Sequence, residues 1–363
     1  MTRVADDFPA LAPKSRPRVG FLGIGWIGYY RMKTIVDTHL IEIAAVADAS
    51  ADLTARAAAL APGAKQAATL DELLQQDLDG IVIATPTALH AEQAIRALEY
   101  GLAVFCQKPL GRTAAEVRSV VNAARAADRL LAVDMSYRFT DAMQKIRELA
   151  ASGKLGQIFG VDLVFHNAYG PHKPWFYDAA LSGGGCVMDL GVHLVDLALW
   201  VLNFPNVSKV VANRFRGGEP LAPPSDGVED YAVATLTLET GAIVRLACSW
   251  RLHAGCEAVI SAAFHGTEGA ATLSNVNGSF YDFTAEHHRG TAREVLSHPP
   301  DGWFGRAAAD WAMRLAAGER FDAAVEQLVD TARVLDRIYE RPESRNSRLP
   351  EREARAPLIP ARG

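Results

Sequence analysis

The chain has 363 residues, 49% of them apolar and 22% charged, and a formal net charge of −5. A chain of that length exceeds what one hydrophobic core usually supports, so two domains of an ordinary soluble protein are expected. It lacks the dense Lys/Arg run that a nucleic-acid partner would require. Four widely spaced cysteines (Cys106, Cys186, Cys248, Cys256) with no Cys-x-x-Cys pair argue against a disulfide framework or a zinc site and for a reducing, cytoplasmic setting without metal.

Residues 1–16 are mixed in charge and contain proline without an apolar stretch, which reads as a flexible arm and not a secretory signal. No stretch reads as long and apolar enough to cross a bilayer, so no membrane partner is expected. From Arg18 the pattern is strand, Gly23-Ile-Gly25-Trp26-Ile27-Gly28, then a helix to about Val36. In a G-x-G-x-x-G turn the first glycine makes the tight bend and the second lets backbone approach a pyrophosphate. The third permits close helix–strand packing, and the helix N-terminus adds donors and partial positive charge. A second strand, 41–47, ends at Asp48, twenty residues after Gly28, where a carboxylate can accept from an adenosine ribose. With no Arg or Lys from Ala49 to Thr54 to neutralise a 2′-phosphate, NAD is favoured over NADP.

The α/β alternation continues. Thr69 and Thr113 each stand three residues before a glutamate and cap short helices, and strands at 81–84, 103–106 and 130–133 follow one another. Thr85-Pro86 breaks the first of these, His90 opens a helix, and Gln107-Lys108-Pro109 follows the second. All lie at the strand ends, where open α/β sheets bind ligands. Proline stiffens the turn that carries Lys108.

After Tyr137-Arg138-Phe139 and a helix over 141–151, the period changes. Strands are expected at 157–165, 207–215, 231–239, 242–250, 258–265 and 270–273, with hairpin turns at Glu239–Gly241 and Gly266–Gly269. This describes a separate α+β domain with an antiparallel sheet, and a sheet with one uncovered face suits self-association. The boundaries read as arm 1–16, Rossmann domain 17–139, α+β domain 140–340 and tail 341–363, with a Pro/Gly-rich loop at 217–227. Residues 165–182 crowd His166, Trp175 and other aromatic side chains in a way that suits a sugar-like ligand. Gly183-Gly-Gly then leads to Asp189, His193 and Asp196. On an α-helix Asp189 and His193 stack on one face, a carboxylate beside an imidazole.

The Gly23–Gly28 turn, Ala84-Thr-Pro-Thr-Ala-Leu-His90, Cys106-Gln-Lys-Pro109 and Gly183-Gly-Gly…Asp189-x-x-x-His193-x-x-Asp196 together resemble the Gfo/Idh/MocA family of NAD(P)-dependent oxidoreductases over about residues 17–340. The resemblance implies a Rossmann domain followed by a domain with a large open, mainly antiparallel sheet through which a homodimer or homotetramer forms, and a small carbohydrate or polyol substrate oxidised at a secondary alcohol. It implies Lys108, Asp189 and His193 as catalytic residues, with His193 as the acid/base and Lys108 polarising the reacting oxygen. The cofactor would be held by Gly23, Gly25, Trp26, Ile27, Gly28, Asp48, Thr85, Pro86, His90, Gln107 and Lys108. The substrate would meet Tyr137, Arg138, His166, Trp175, Asp189 and His193. Gln107 departs from the family's usual glutamate, and Met-Ser-Tyr precedes Arg138 without the asparagine that many members carry. Two other functions share the fold: an NAD-dependent glycoside hydrolase that retains its cofactor, and a non-catalytic NAD-binding regulator.

Overall fold

A computed structural model describes residues 16–221 and 227–341. Residues 1–15, 222–226 and 342–363 lie outside it, and with them nearly all of the expected arm and tail and part of the loop at 217–227. The first sheet holds β1 (Arg18–Leu22), β2 (Glu42–Ala47), β3 (Lys65–Ala67), β4 (Gly80–Ile83), β5 (Ala103–Cys106) and β6 (Leu131–Val133). All are parallel, in the order β3-β2-β1-β4-β5-β6. Helices α1 (Trp26–Asp37), α2 (Ala51–Leu60), α3 (Leu70–Leu74), α4 (Thr87–Glu99) and α5 (Ala114–Ala127) make the crossovers. Thr69 and Thr113 cap α3 and α5 through their hydroxyls, as their spacing from a glutamate demands.

Alternation along β4 shows why both faces of this sheet must be covered. Ile81 and Ile83 enter the core shared with the second domain, whereas Val82 faces a smaller core with Phe21, Ile35 and Phe105. That smaller core is completed from far along the chain by α9 (Arg306–Ala316), whose Trp311 lies 5.9 Å from Phe105. The boundary expected at 140–340 is therefore imperfect in space, because α9 packs on the first sheet.

The second unit begins with α6 (Asp141–Ala151) and β7 (Ile158–Asn167), then α7 (Ala179–Ser182), a π-helical turn (Val187–Gly191) and α8 (Val192–Val201). The eight remaining strands form hairpins or meanders: β8 (Val207–Arg216), β9 (Glu219–Pro220), β10 (Tyr231–Leu238), β11 (Ile243–Ser249), β12 (Ala258–Gly266), β13 (Ala270–Asn275), β14 (Phe283–Arg289) and β15 (Ala292–Ser297). Their sheet order is β15-β14-β13-β12-β7-β11-β10-β8-β9, antiparallel except where β7 meets β11. β14 and β15 have no counterpart in the sequence reading. Their charged, His-rich segments carry little apolar signal, and β15 is an exposed edge. Last comes α10 (Gln327–Ile338).

One face of this sheet covers the core. The other leaves Val211, Ile243 and the ion pair Arg245–Asp162 in the open. Ala179–Val201 corrects the expectation about membranes: it is a helical run long and apolar enough to cross one, yet it is almost wholly buried as the central core helix of this domain.

Candidate active site

A cavity of about 950 Å³ opens at the carboxyl ends of β1, β4 and β5, and the π-turn closes it from the second domain. Each glycine of the first turn has its own reason. Gly23 sits at φ +84°, and a Cβ there would come within 2.6 Å of the Ala84 backbone. A Cβ on Gly28 would overlap the Gly23 carbonyl oxygen. Gly25 differs: a Cβ would meet nothing within 4 Å, because the residue faces the open cavity. Gly25 is also the N-cap of α1, with no capping side chain and no acid in the first turn. The first N–H groups of α1 are therefore unspent beside free space, which is the chemistry a pyrophosphate needs.

Asp48 accepts from the Ile24 N–H at 2.6 Å on one oxygen and from the Ser50 N–H at 2.9 Å on the other. Both bonds aim the carboxylate at the cavity mouth and leave lone pairs for ribose hydroxyls. The cavity wall around it, from Ala49 and Leu53 to Ala68, Thr69 and Leu70, carries no cation. Trp26, Ile27, Thr85, Pro86 and Gln107 line the same cavity.

On the opposite wall Lys108 follows β5 and is joined to Pro109 by a cis peptide bond. Its Nζ donates to the Asp189 carbonyl oxygen at 2.6 Å and to Asp189 Oδ1 at 2.8 Å. Trp250 Nε1 donates to Asp189 Oδ2 at 3.0 Å, so both carboxylate oxygens are oriented. This pair spans the two domains, and its members are each about one-fifth exposed. His193 lies beside it, its ring 4.8 Å from that of Tyr137, which packs against Phe165 and Trp303. Burial, then the charges of Lys108 and Arg31, hold the His193 imidazole well below its ordinary range, so it is neutral at neutral pH.

Asp189 and His193 are four apart, but not on one regular α-helix. Asp189 belongs to the π-turn, and α8 begins only at Val192. A π-turn bonds i to i+5, widening the helix where the side chains meet the cavity; such turns gather at functional sites.

The loop ahead of it is tightly made. Gly183 and Gly184 sit at φ +82° and +152°, and a Cβ on Gly185 would overlap the Glu229 carbonyl oxygen. Glu229, fully buried, accepts on Oε1 from the N–H groups of Gly185 (2.9 Å) and Val187 (3.0 Å) and from the Tyr339 hydroxyl (2.6 Å). Burial pushes its carboxyl up.

Of the residues expected at the site, His166 and Arg138 do not line the cavity, and His90 lines it as a brace. His166 lies on the far face of β7: alternation turns Phe165 and Asn167 to the cavity, while His166 bonds Ser249 Oγ at 2.7 Å and stacks on Tyr231. Arg138 is locked to Asp196 by bonds of 2.7 and 2.5 Å. His90, also buried, has its two ring nitrogens 2.7 Å from the carbonyl oxygens of Pro109 and Thr85, so it braces the wall and offers no donor to a ligand. Lysine, aspartate and Trp175 do line the cavity as expected. Arg31, Asp134, Trp250 and Glu229 have no counterpart in the sequence reading.

Residues 17–135 match the model of the oxidoreductase family with an NAD-binding Rossmann fold, and residues 143–272 match the GFO/IDH/MocA C-terminal domain. The chain is 31% identical to D-glucoside 3-dehydrogenase of Escherichia coli (strain K12) over 247 residues, covering 64% of this chain and 70% of that protein. It is 27% identical to inositol 2-dehydrogenase of Rhizobium meliloti (strain 1021) over 323 residues, covering 87% and 90%. The solved structure of GenD2 from gentamicin A biosynthesis in complex with NAD superimposes with a TM-score of 0.74 at 25% identity, covering 91% of this chain and 96% of that one. With both halves matched in order and relatives covered over most of their length, this chain belongs to the GFO/IDH/MocA family of NAD-binding oxidoreductases.

Proposed function

We propose that the protein is an NAD-dependent dehydrogenase acting on a secondary alcohol of a sugar, polyol or related cyclic substrate, with His193 as general acid/base. The observation that carries this is the convergence of Lys108, Asp189 and a neutral His193 on the cavity that the Gly25 turn opens into. The names of the relatives, a glucoside dehydrogenase and an inositol dehydrogenase, support the substrate class. The cation-free wall around Asp48 supports NAD over NADP, because a 2′-phosphate there would meet a carboxylate with nothing to offset it.

NAD supplies the hydride acceptor, and in the reverse direction NADH the donor. Everything else falls to the chain. His193 takes the hydroxyl proton on a ring nitrogen as the C–H hydride leaves, and returns it in the reverse direction. The Lys108 ammonium donates to the reacting oxygen and stabilises the negative charge that develops there. Asp189, fixed by Trp250, holds Lys108 in place and accepts from a neighbouring substrate hydroxyl. Trp175 and Tyr137 supply apolar faces for a sugar ring. The open sheet face, with Val211 and Ile243 exposed, supports a homodimer or homotetramer, and four unpaired cysteines fit a cytoplasmic setting.

The test follows the absorbance of reduced cofactor with NAD and NADP separately across sugars, inositols and glycosides. Reduction of NAD by one class, lowered at least ~100-fold in both Lys108→Met and His193→Asn with cofactor still bound, is the expected result. Near-normal rates in both variants would refute the assignment. Glycoside cleavage without net reduction would make the protein a hydrolase that retains its cofactor.

A further inference from the structure

The two walls of the cavity also meet away from the Lys108–Asp189 pair. Arg112, four residues after Lys108, lies against Gly183, six residues before Asp189: a Cβ on Gly183 would come within 2.9 Å of Arg112 Cβ. Arg112 reaches across as well, its Nη1 donating to the Ala180 carbonyl oxygen at 2.7 Å. Arg341, just past α10, ties the same two segments together. Its Nη1 donates to the Arg112 carbonyl oxygen at 2.7 Å, and its Nη2 donates to the Gly183 carbonyl oxygen. A guanidinium suits this work, because its donors are fixed in one rigid plane and can serve two acceptors at a set spacing.

We propose that Arg341 is a positioning residue for catalysis: by bridging the carbonyls of Arg112 and Gly183 it fixes the separation of the two walls, and so the geometry in which Lys108 meets Asp189. This rests on the reading of Lys108 and Asp189 as catalytic residues.

Arg341 is itself held. Asp336 on α10 accepts from Arg341 Nη1 at 3.2 Å and from the Ala114 N–H at 2.8 Å, which pins the end of α10 to the start of α5. The Arg341 guanidinium lies 4.4 Å over the Tyr339 ring, whose hydroxyl is bonded to Glu229. Neither segment between this clasp and the pair is slack. On the first wall His90 holds the Pro109 carbonyl oxygen, Leu110 is buried, and the Arg112 N–H donates to Glu116 at 2.7 Å. On the second wall the N–H groups of Gly185 and Val187 are spent on Glu229. A displacement at either carbonyl therefore reaches the pair, with no loose chain to absorb it.

Arg337 supplies the control. It stands on α10 one turn before Arg341, and its Nη1 and Nη2 also donate to two carbonyl oxygens, those of Val207 (2.5 Å) and Ser208 (3.0 Å). Both acceptors belong to β8, so this fork joins nothing across the cavity.

The experiment labels the lysine nitrogens and follows the Lys108 ammonium in protein free of substrate, its signal assigned by loss in Lys108→Met. In wild type the bonds to Asp189 slow exchange of the ammonium protons with water and keep the signal sharp. Arg341→Met is expected to lose that signal to exchange, and Arg337→Met to keep it. Turnover should fall ~10- to 100-fold in Arg341→Met, the cost of a reacting group misplaced by about an ångström. KM for NAD should stay at its wild-type value, because the Gly23–Gly28 turn takes no part in the clasp. If Arg341→Met does not fold, Arg341→Gln, which is too short to span both carbonyls, carries the same expectations. A Lys108 signal as sharp in the folded Arg341 variant as in wild type overturns the proposal, and so do equal losses in Arg337→Met. The ammonium signal is read without turnover, so absence of dehydrogenase activity would refute the function above and leave this result intact.

Discussion

Two glycine loops open two helices in this protein, and they use the same residue for opposite ends. The Gly23–Gly28 loop leaves space: Gly25 faces the cavity, and the N–H groups at the start of α1 are unspent. The Gly183–Gly185 loop fills space: a side chain at Gly185 has nowhere to go, and the N–H groups of Gly185 and Val187 already bond a buried carboxylate inside the protein. In the first loop the missing side chain serves a ligand. In the second it serves the fold, letting the chain press against Glu229 so that the π-turn arrives at a fixed height. A glycine-rich loop before a helix is therefore an anion site only where its donors remain unspent.

Glu229→Ala is the hardest blow to the second loop, since it leaves two buried N–H groups and the Tyr339 hydroxyl without their acceptor. A loss of about 3 kcal/mol in chemical unfolding is expected, at ~1–3 kcal/mol for each orphaned group and partial relaxation. Gly185→Ala should follow at about 1–3 kcal/mol, the usual range for overpacking, and should slow turnover because the π-turn must shift. Gly25→Val should cost about 0.5–1 kcal/mol, the loss of a favoured N-cap, less than Gly185→Ala because its Cβ meets nothing within 4 Å, yet weaken NAD binding at least tenfold in a titration of cofactor fluorescence. If Gly25→Val destabilised the protein as much as Gly185→Ala, the contrast between the loops would fail.

The smallest effect concerns pH. His90 and His193 are both held below their ordinary range, chiefly by burial. Unfolded histidines take up protons near pH 6.5 while these two stay neutral in the fold, so below that pH the unfolded state binds more protons. Stability from these groups is therefore present above about pH 6.5 and falls as the pH drops toward their folded-state values. Tm should be a few degrees lower at pH 5.5 than at pH 7.5, and less so in His90→Gln if that variant folds. An unchanged difference in His90→Gln would remove His90 from this account.

Much of the first domain was legible because its signals are local. Thr69 and Thr113 cap helices through residues three positions away, and Asp48 is placed by the length of one strand–helix unit. Lys108, Asp189 and His193 could be named from short spacings. Their roles beyond that were not legible. Arg31 meets Asp134 across 103 residues and Glu229 reaches back 44 to Gly185, and no period in the chain encodes such meetings. His166 was misplaced by the parity of β7, since one step along a strand reverses the face.

By itself the sequence determined that a dinucleotide turn exists, that an antiparallel domain follows it, and that one lysine, one aspartate and one histidine stand at joints between elements. Turn chemistry, side-chain period and glycine's freedom at positive φ act within a few residues, so order along the chain is enough to reveal them. Only the tertiary structure decided which donors stay free, which carboxylates are spent, and that Arg31 meets Asp134. Burial and unpaired charge are properties of the space between elements, and that space exists only once the two sheets have closed on a common cavity.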